Sequence, residues 1–253
     1  MNIVAIIPAR MGSSRFPGKP MAKIGGKPMI GHVFDRVKLC PDLTKTVVAT
    51  CDKEIMDYIE SIGGEAVMTS ALHERASDRA AEALAVLEAK DGVTYDIVVM
   101  VQGDEPMTHP EMVSQALSPM LTNTSIKVVN LVADIASQEE FEDRNCIKVV
   151  LDSSKNAMYF SREPVPTQRN GLNVPMKKQV CVIPFTRQFL FEYQELDPTP
   201  LEIIESVDMM RVLENGFKVK MVHTDFQTSA VDTPQDLVRV EALMMSDSFK
   251  RIS

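Results

Sequence analysis

Residues 3–20 read Ile3-Val4-Ala5-Ile6-Ile7-Pro8-Ala9-Arg10-Met11-Gly12-Ser13-Ser14-Arg15-Phe16-Pro17-Gly18-Lys19-Pro20. Ile3–Ile7 is an unbroken apolar run, too short for a helix and suited to a strand buried on both faces of a parallel sheet. The run ends at Pro8, and a loop follows that carries three cations, Arg10, Arg15 and Lys19. Ala9, Gly12, Ser13 and Ser14 are small enough to let the backbone approach a ligand. In open α/β sheets ligands lie beyond the carboxyl ends of the strands, so cations placed there suit a polyphosphate. Lys19 is followed by Pro20 rather than Ser or Thr, which excludes the Walker arrangement. The loop is a different way of gripping a nucleoside triphosphate.

Outward from this stretch, apolar runs alternate with helical periodicities. Strands are expected at Ile3–Ile7, Thr46–Ala49, Ala66–Met68, Ile97–Val101 and Lys127–Val132. Helices are expected at Met29–Leu39, Lys53–Ser61, Asp78–Lys90 and Pro110–Leu121. Such alternation implies right-handed crossovers and a parallel sheet covered on both faces. After Ser137 the rhythm changes, with strands expected at Ile147–Leu151, Met158–Phe160, Gln179–Phe185 and Lys218–His223, and a polar, Pro-containing loop over Arg162–Lys178. A helix over Leu201–Glu214 is stopped by Gly216, and Thr233 caps a final helix whose first residue is Pro234. The expected fold class is α/β: a mostly parallel, doubly wound, Rossmann-like sheet in one domain over residues 1–253, with a smaller arm at 145–190.

Composition narrows the partners. A hydrophobic content of 45% and a charged content of 25% are ordinary globular values. The net charge of −8 leaves no broad basic face, which argues against a nucleic-acid surface. Cys40, Cys51, Cys146 and Cys181 are scattered, without CxxC spacing or a nearby His, so a reduced intracellular chain is expected. No apolar segment reaches the roughly 18 residues of a membrane span, and the first run is too short for a signal peptide. Seventeen methionines with no tryptophan read as core filler.

Two carboxylates stand out. Asp104, in Val101-Gln102-Gly103-Asp104-Glu105-Pro106, falls just past the apolar strand Ile97–Val101, where a bound nucleotide would place its phosphates. Mg²⁺ usually takes one or two carboxylates plus phosphate oxygens, and Asp104 suits that use. Gly103 would permit close approach, and Gln102 offers an uncharged hydrogen-bonding group. Asp232, in Val231-Asp232-Thr233-Pro234, sits at the mouth of a helix. There it is either a dipole partner or competing N-cap, or a second ligand beside Asp104.

Together these residues resemble the cytidylyltransferases that activate 3-deoxy-manno-octulosonate (Kdo). The resemblance runs through nearly the whole chain and is carried by Ile7–Arg10 with Ser14–Pro20, Gly26–Ile30, Val101–Pro106, Tyr159–Arg162, Arg211–Leu213 and Val231–Pro234. It implies that Arg10, Arg15 and Lys19 hold the triphosphate of CTP and that Asp104 and Asp232 hold Mg²⁺, with Lys19, Arg10 and Asp104 as the catalytic set. It places Gln102 near the sugar, makes Arg162 a basic contact to substrate, and puts His73, Ser77 and Arg79 near nucleotide and sugar. The implied reaction is attack by the sugar's anomeric hydroxyl on the α-phosphorus of CTP, releasing pyrophosphate for lipopolysaccharide synthesis. It further implies a cytoplasmic enzyme and a homodimer formed through the arm, for which the apolar Val180, Val182 and Phe185 are candidates.

The departures from the family pattern cluster. Where His-Gln-Ser-Gly-Thr-Glu-Arg is usual, this chain has His73-Glu74-Arg75-Ala76-Ser77-Asp78-Arg79, with Arg75 either an extra phosphate contact or a surface charge. Gln179 replaces a His and Ile183 a Tyr, while Asp208-Met209 replaces Glu-Gln. These last positions line the family's sugar pocket, whereas the triphosphate set is intact. A site built to hydrogen-bond a hydroxyl can reject an analogue lacking it by about 10⁴–10⁵, so joint swaps suggest a different sugar. The 8-amino form, 8-amino-3,8-dideoxy-manno-octulosonate (Kdo8N), is the expected substrate, with Asp208 facing its ammonium. Ordinary Kdo and a sialic-acid-like sugar are the enzymatic alternatives, and a silent nucleotide-binding regulatory paralogue is the non-enzymatic one. His32, His109 and His223 are assigned no chemistry, and Gly25-Gly26-Lys27-Pro28 is expected to make a turn into a helix.

Overall fold

Strand β1, Ile3–Ala9, has Ile3 to Ile7 in the core, as an apolar run without alternation requires. The computed structural model of the chain describes residues 1–13, 15–167, 175–226 and 228–246. After β1 come the short strands β2 (Lys23–Ile24) and β3 (Lys27–Pro28), which pair as a hairpin leading into α1 (Met29–Val37). Gly25 and Gly26 supply its two-residue turn with φ of 58° and 86°, the left-handed conformation that such tight hairpins need. The expected turn into a helix is therefore present. Met29, Ile30, Val33, Phe34 and Val37 form the buried stripe of α1.

The chain continues through β4 (Lys45–Thr50), α2 (Lys53–Ser61), β5 (Glu65–Met68), α3 (Ala76–Asp91), β6 (Ile97–Val101) and α4 (Pro110–Thr122). Gly92, at φ 66°, ends α3, its N–H donating to the Glu88 carbonyl. Strands β6-β1-β4-β5 lie side by side in that order, every pair parallel, so the carboxyl ends of β1, β4 and β6 share one edge. By packing, the chain divides into two units, residues 1–114 with 227–253, and residues 115–226.

The second unit holds β7 (Val129–Asp134), α5 (Gln138–Glu142), β8 (Lys148–Leu151), β9 (Ala157–Ser161), β10 (Lys177–Val180), β11 (Val182–Thr186), α6 (Arg187–Gln194), α7 (Pro200–Glu205), α8 (Asp208–Glu214) and β12 (Lys220–His223). Its sheet runs β12-β7-β10-β8-β9, with only β12 and β7 parallel. The strand expected at Lys127–Val132 thus belongs to this mixed sheet, not to the parallel sheet of the first half. The last helix, α9 (Pro234–Ser246), returns to the first unit. The arm expected at 145–190 falls within the second unit.

Three sequence expectations need correction here. Gln179–Phe185 is two strands, because the chain bends at Cys181, ending one strand at Val180 and opening the next at Val182. Leu201–Glu214 is two helices, because Ser206 takes φ 53° and Val207 is extended, ending α7 and restarting at Asp208. Val180, Val182 and Phe185 are at most 1% exposed and serve this chain's own core, not a dimer surface. Phe185 stacks with Phe189 and meets Tyr193 at 6.2 Å, in an aromatic cluster that Phe217 completes. Among the described residues, no helix is long and apolar enough to cross a membrane.

Candidate active site

The cation loop is held at its base by one residue, Met11. The Met11 carbonyl accepts the N–H groups of Ser13 and Gly18, both at 3.0 Å, and the Met11 N–H donates to Asp52 Oδ2 at 2.8 Å. Gly18, at φ 74°, turns the chain into a 3₁₀ turn over Lys19–Met21. Phe16 packs against an apolar floor of Ile24, Met29, Met107, Val231, Val240 and Met244. That floor joins the loop to the segments carrying Asp104 and Asp232.

The two aspartates meet. The Val231 N–H donates to the Asp104 carbonyl at 3.0 Å, tying the end of β6 to the entrance of α9. Lys19 Nζ lies 2.7 Å from Asp104 Oδ2 and 3.4 Å from Asp232 Oδ1. Arg15 Nη2 reaches the same Asp232 oxygen at 2.8 Å. The helix-cap reading of Asp232 gives way to Thr233. Thr233 Oγ1 accepts the Asp236 N–H at 3.2 Å while Asp236 Oδ2 accepts the Thr233 N–H at 2.9 Å, a reciprocal cap. Asp236 Oδ2 also takes the Asp232 N–H, which leaves the Asp232 carboxylate turned to the cations.

The electrostatics are those of a strained quartet. Burial and then the Asp104 charge push the Asp232 carboxyl above its ordinary range, against the pull of Lys19 and Arg15. Burial pulls the Lys19 ammonium down, but the two carboxylates outweigh it and the group is held above its ordinary value. Among the described residues, no three His, Cys, Asp or Glu side chains converge on a metal position. The two carboxylates fit a cation that completes its shell with phosphate and water, as Mg²⁺ does.

Gly103 makes a close approach, though to protein. A Cβ there would lie 3.1 Å from both the Pro8 carbonyl oxygen and Ile30 Cδ1, so glycine lets β6 end tightly against β1. The Gln102 side chain makes no hydrogen bond to any described residue. Arg10 is exposed and donates to the His73 carbonyl at 3.5 Å, which also receives Arg79 Nη2 at 3.3 Å. Arg79 is buried and holds the Thr69 hydroxyl and the Ser70 carbonyl, so it shapes the 69–73 loop from within. The His73 ring binds Glu82, and Ser77 is fully buried in the first turn of α3.

Three other expected site residues lie in the second unit. Arg162 donates Nε to the Glu205 carbonyl at 2.7 Å, Nη1 to that of Arg144 at 3.0 Å and Nη2 to that of Ser206 at 3.2 Å. Gln179 donates to Asn130 Oδ1 at 2.6 Å, and the fully buried Asn130 in turn bonds the carbonyls of Leu131 and Val180. Asp208 opens α8, its carbonyl accepting from the Tyr193 hydroxyl at 3.3 Å. Arg211, one of the residues carrying the resemblance, is a buried partner of Glu202. Sequence reasoning missed Asp52, Asp236 and Glu205, which accepts from Tyr159, Ser161 and the Arg162 N–H. Asp52 carries a signal, since it follows β4 at the same sheet edge as Asp104.

A family profile described as cytidylyltransferase matches residues 4–222. The 3-deoxy-manno-octulosonate cytidylyltransferase of Geobacter metallireducens is 41% identical over 251 residues, 95% of this chain and 96% of the relative. That of Trichlorobacter lovleyi is 41% identical over 255 residues, 96% of this chain and 99% of the relative. The solved structure of CMP:2-keto-3-deoxy-manno-octonic acid synthetase complexed with CTP superposes with a TM-score of 0.86 at 35% identity, covering 97% of this chain and 99% of that one.

Proposed function

Since the chain belongs to the cytidylyltransferase family, and within it to the 3-deoxy-manno-octulosonate cytidylyltransferases, we propose that it transfers CMP from CTP to an eight-carbon acidic keto sugar. The observation that carries this reading is the quartet of Arg15, Lys19, Asp104 and Asp232 at the carboxyl edge of β1 and β6. Each cation there is matched by a carboxylate. A triphosphate competes for the cations and a divalent ion for the carboxylates, so each ligand frees the partner that the other needs.

The anomeric hydroxyl oxygen gives up its proton to solvent and bonds to the α-phosphorus of CTP, as the bond from that phosphorus to the oxygen bridging to the β-phosphate breaks and pyrophosphate leaves. Arg10, Arg15 and Lys19 bind and orient the triphosphate, and Lys19 places its charge where the departing pyrophosphate gains negative charge. Asp104 and Asp232 would hold Mg²⁺, which when bound polarises the phosphoryl oxygen. The burial of Asp232 beside Asp104 supports that assignment, because a divalent ion relieves their mutual repulsion. The same reading makes the chain a cytoplasmic enzyme and a homodimer, and sedimentation of the purified protein tests the dimer.

For the sugar, the finer proposal is Kdo8N, supported by the swaps at Gln179, Ile183 and Asp208. Ile183 is almost fully buried, and Gln179 has turned its amide to Asn130. Neither position offers what a His or Tyr would give a sugar hydroxyl. Pyrophosphate release with CTP, MgCl₂ and either Kdo or Kdo8N is the test. A higher kcat/KM for Kdo8N supports the finer reading, and a preference for Kdo removes it. Turnover of neither sugar, with CTP still bound, favours the silent paralogue. Asp104→Asn is expected to lose at least about 100-fold in kcat with an unchanged circular dichroism spectrum; wild-type turnover would refute the metal role.

A further inference from the structure

We propose that Asp52 is a positioning residue for the triphosphate loop, an inference that rests on the reading above. Asp52 stands at the N-cap of α2 with extended backbone, and its carbonyl accepts the Met56 N–H at 3.2 Å. Aspartate at this place ordinarily turns its carboxylate onto the amides of its own helix. Here it caps none of them. Oδ2 accepts instead the N–H of Met11, 41 residues earlier, at 2.8 Å.

The choice of that amide is informative. The Met11 carbonyl already closes the loop by accepting from Ser13 and Gly18, so Asp52, on the N–H of the same residue, fixes the point at which the loop is tied. Arg10 precedes Met11, and Arg15 and Lys19 follow it along the loop. Glycines at 12 and 18 give the chain there wide conformational freedom, which a single fixed acceptor oxygen restricts. Asp52 is itself set in place, since its N–H donates at 3.1 Å to the hydroxyl of the fully buried Thr50.

Charge points the same way. A carboxylate next to a site for a triphosphate repels the ligand, so electrostatics alone would favour a neutral residue. The acceptor oxygen, not the charge, is what the loop uses. Asparagine keeps that oxygen and drops the repulsion. Alanine loses both, and serine restores the helix cap with a side chain too short to reach Met11.

Calorimetric titration of CTP in MgCl₂ against the wild type, Asp52→Asn, Asp52→Ala and Asp52→Ser tests this. Affinity is expected to fall about 10-fold in the Ala and Ser variants, the size of one hydrogen bond, and to stay at or above the wild-type level in Asp52→Asn. In the turnover assay the KM for CTP should rise in the Ala variant while that for the keto acid stays put. Hydrogen exchange at the Met11 amide should accelerate in Ala and Ser and not in Asn. Wild-type CTP affinity in Asp52→Ala, or an Asn variant as weak as Ala, overturns the proposal. If wild type binds no CTP, the functional reading falls and the positioning role with it, while Met11 exchange still reports whether the tether exists.

Discussion

Arg211→Met tests whether a residue of the family's sequence signature serves substrate or structure. Arg211 and Glu202 form a forked pair, Nε to Oε2 and Nη2 to Oε1, each at 2.7 Å. Their side chains are 4% and 0% exposed. A third donor, Nη1, reaches the Leu196 carbonyl at 3.3 Å, and the guanidinium lies 4.6 Å over the Tyr193 ring. Methionine fills much of the volume but strips the buried Glu202 carboxylate of its forked arginine partner. Stranding one partner of such a pair costs about 3–5 kcal/mol. For a chain of this length that corresponds to a drop of roughly 6–20 °C in melting temperature. The loss should show in urea unfolding followed by circular dichroism, with CTP affinity below the transition unchanged. Adding Glu202→Leu removes the stranded charge and should recover most of it, short of about 1 kcal/mol for the Thr199 N–H that Glu202 accepts. A loss under about 1 kcal/mol in the single variant, or no recovery in the double, would refute the reasoning.

Gly103→Ala should destabilise by about 1–3 kcal/mol, because its Cβ presses on the Pro8 carbonyl and displaces the neighbouring Asp104. Its kcat is expected to fall more than its CTP affinity, and unchanged kcat at full occupancy would count against the placement of Asp104. Arg162→Lys gives up most of a three-carbonyl grip and should lower the urea midpoint by about 1–3 kcal/mol of stability; a normal midpoint with a raised sugar KM would make Arg162 a substrate contact instead. Acid stability follows from Asp35, Glu65 and Asp134. For Asp35 and Glu65 burial acts upward, but lysine partners outweigh it; for Asp134 the Lys177 hydrogen bond leads, and all three end below their ordinary values. Folding then binds fewer protons than unfolding, so their contribution is full above the unfolded values of 3.8 and 4.5 and is lost as pH falls through the folded ones. Asp232, held above its ordinary value, contributes with the opposite sign. The test is therefore the difference in urea midpoint between the wild type and Asp35→Asn, which should shrink as pH falls below those unfolded values. A difference that grows on acidification would contradict the sign.

What the sequence discloses, and what it withholds, divides by the range of the deciding contact. Strand β6 is recovered residue for residue at Ile97–Val101, since a fully buried parallel strand needs only its own apolar run. Thr233 and Pro234 identify the start of α9 because cap and helix lie within one turn. The break at Ser206 escapes, because its left-handed backbone is stabilised by partners elsewhere, among them Arg162 on its carbonyl. Asp52 and Asp232 make the division sharpest. Both stand where a helix begins, a place where aspartate is ordinarily a cap, yet one accepts from Met11 and the other from Arg15 and Lys19. An N-cap contributes about 1 kcal/mol from atoms three residues away. A charge-assisted bond to a distant loop can exceed that, and nothing in the local sequence says which will win. A polar residue at a helix entrance on the ligand-facing edge of a parallel sheet is therefore best read as undecided between cap and site until its acceptor is known.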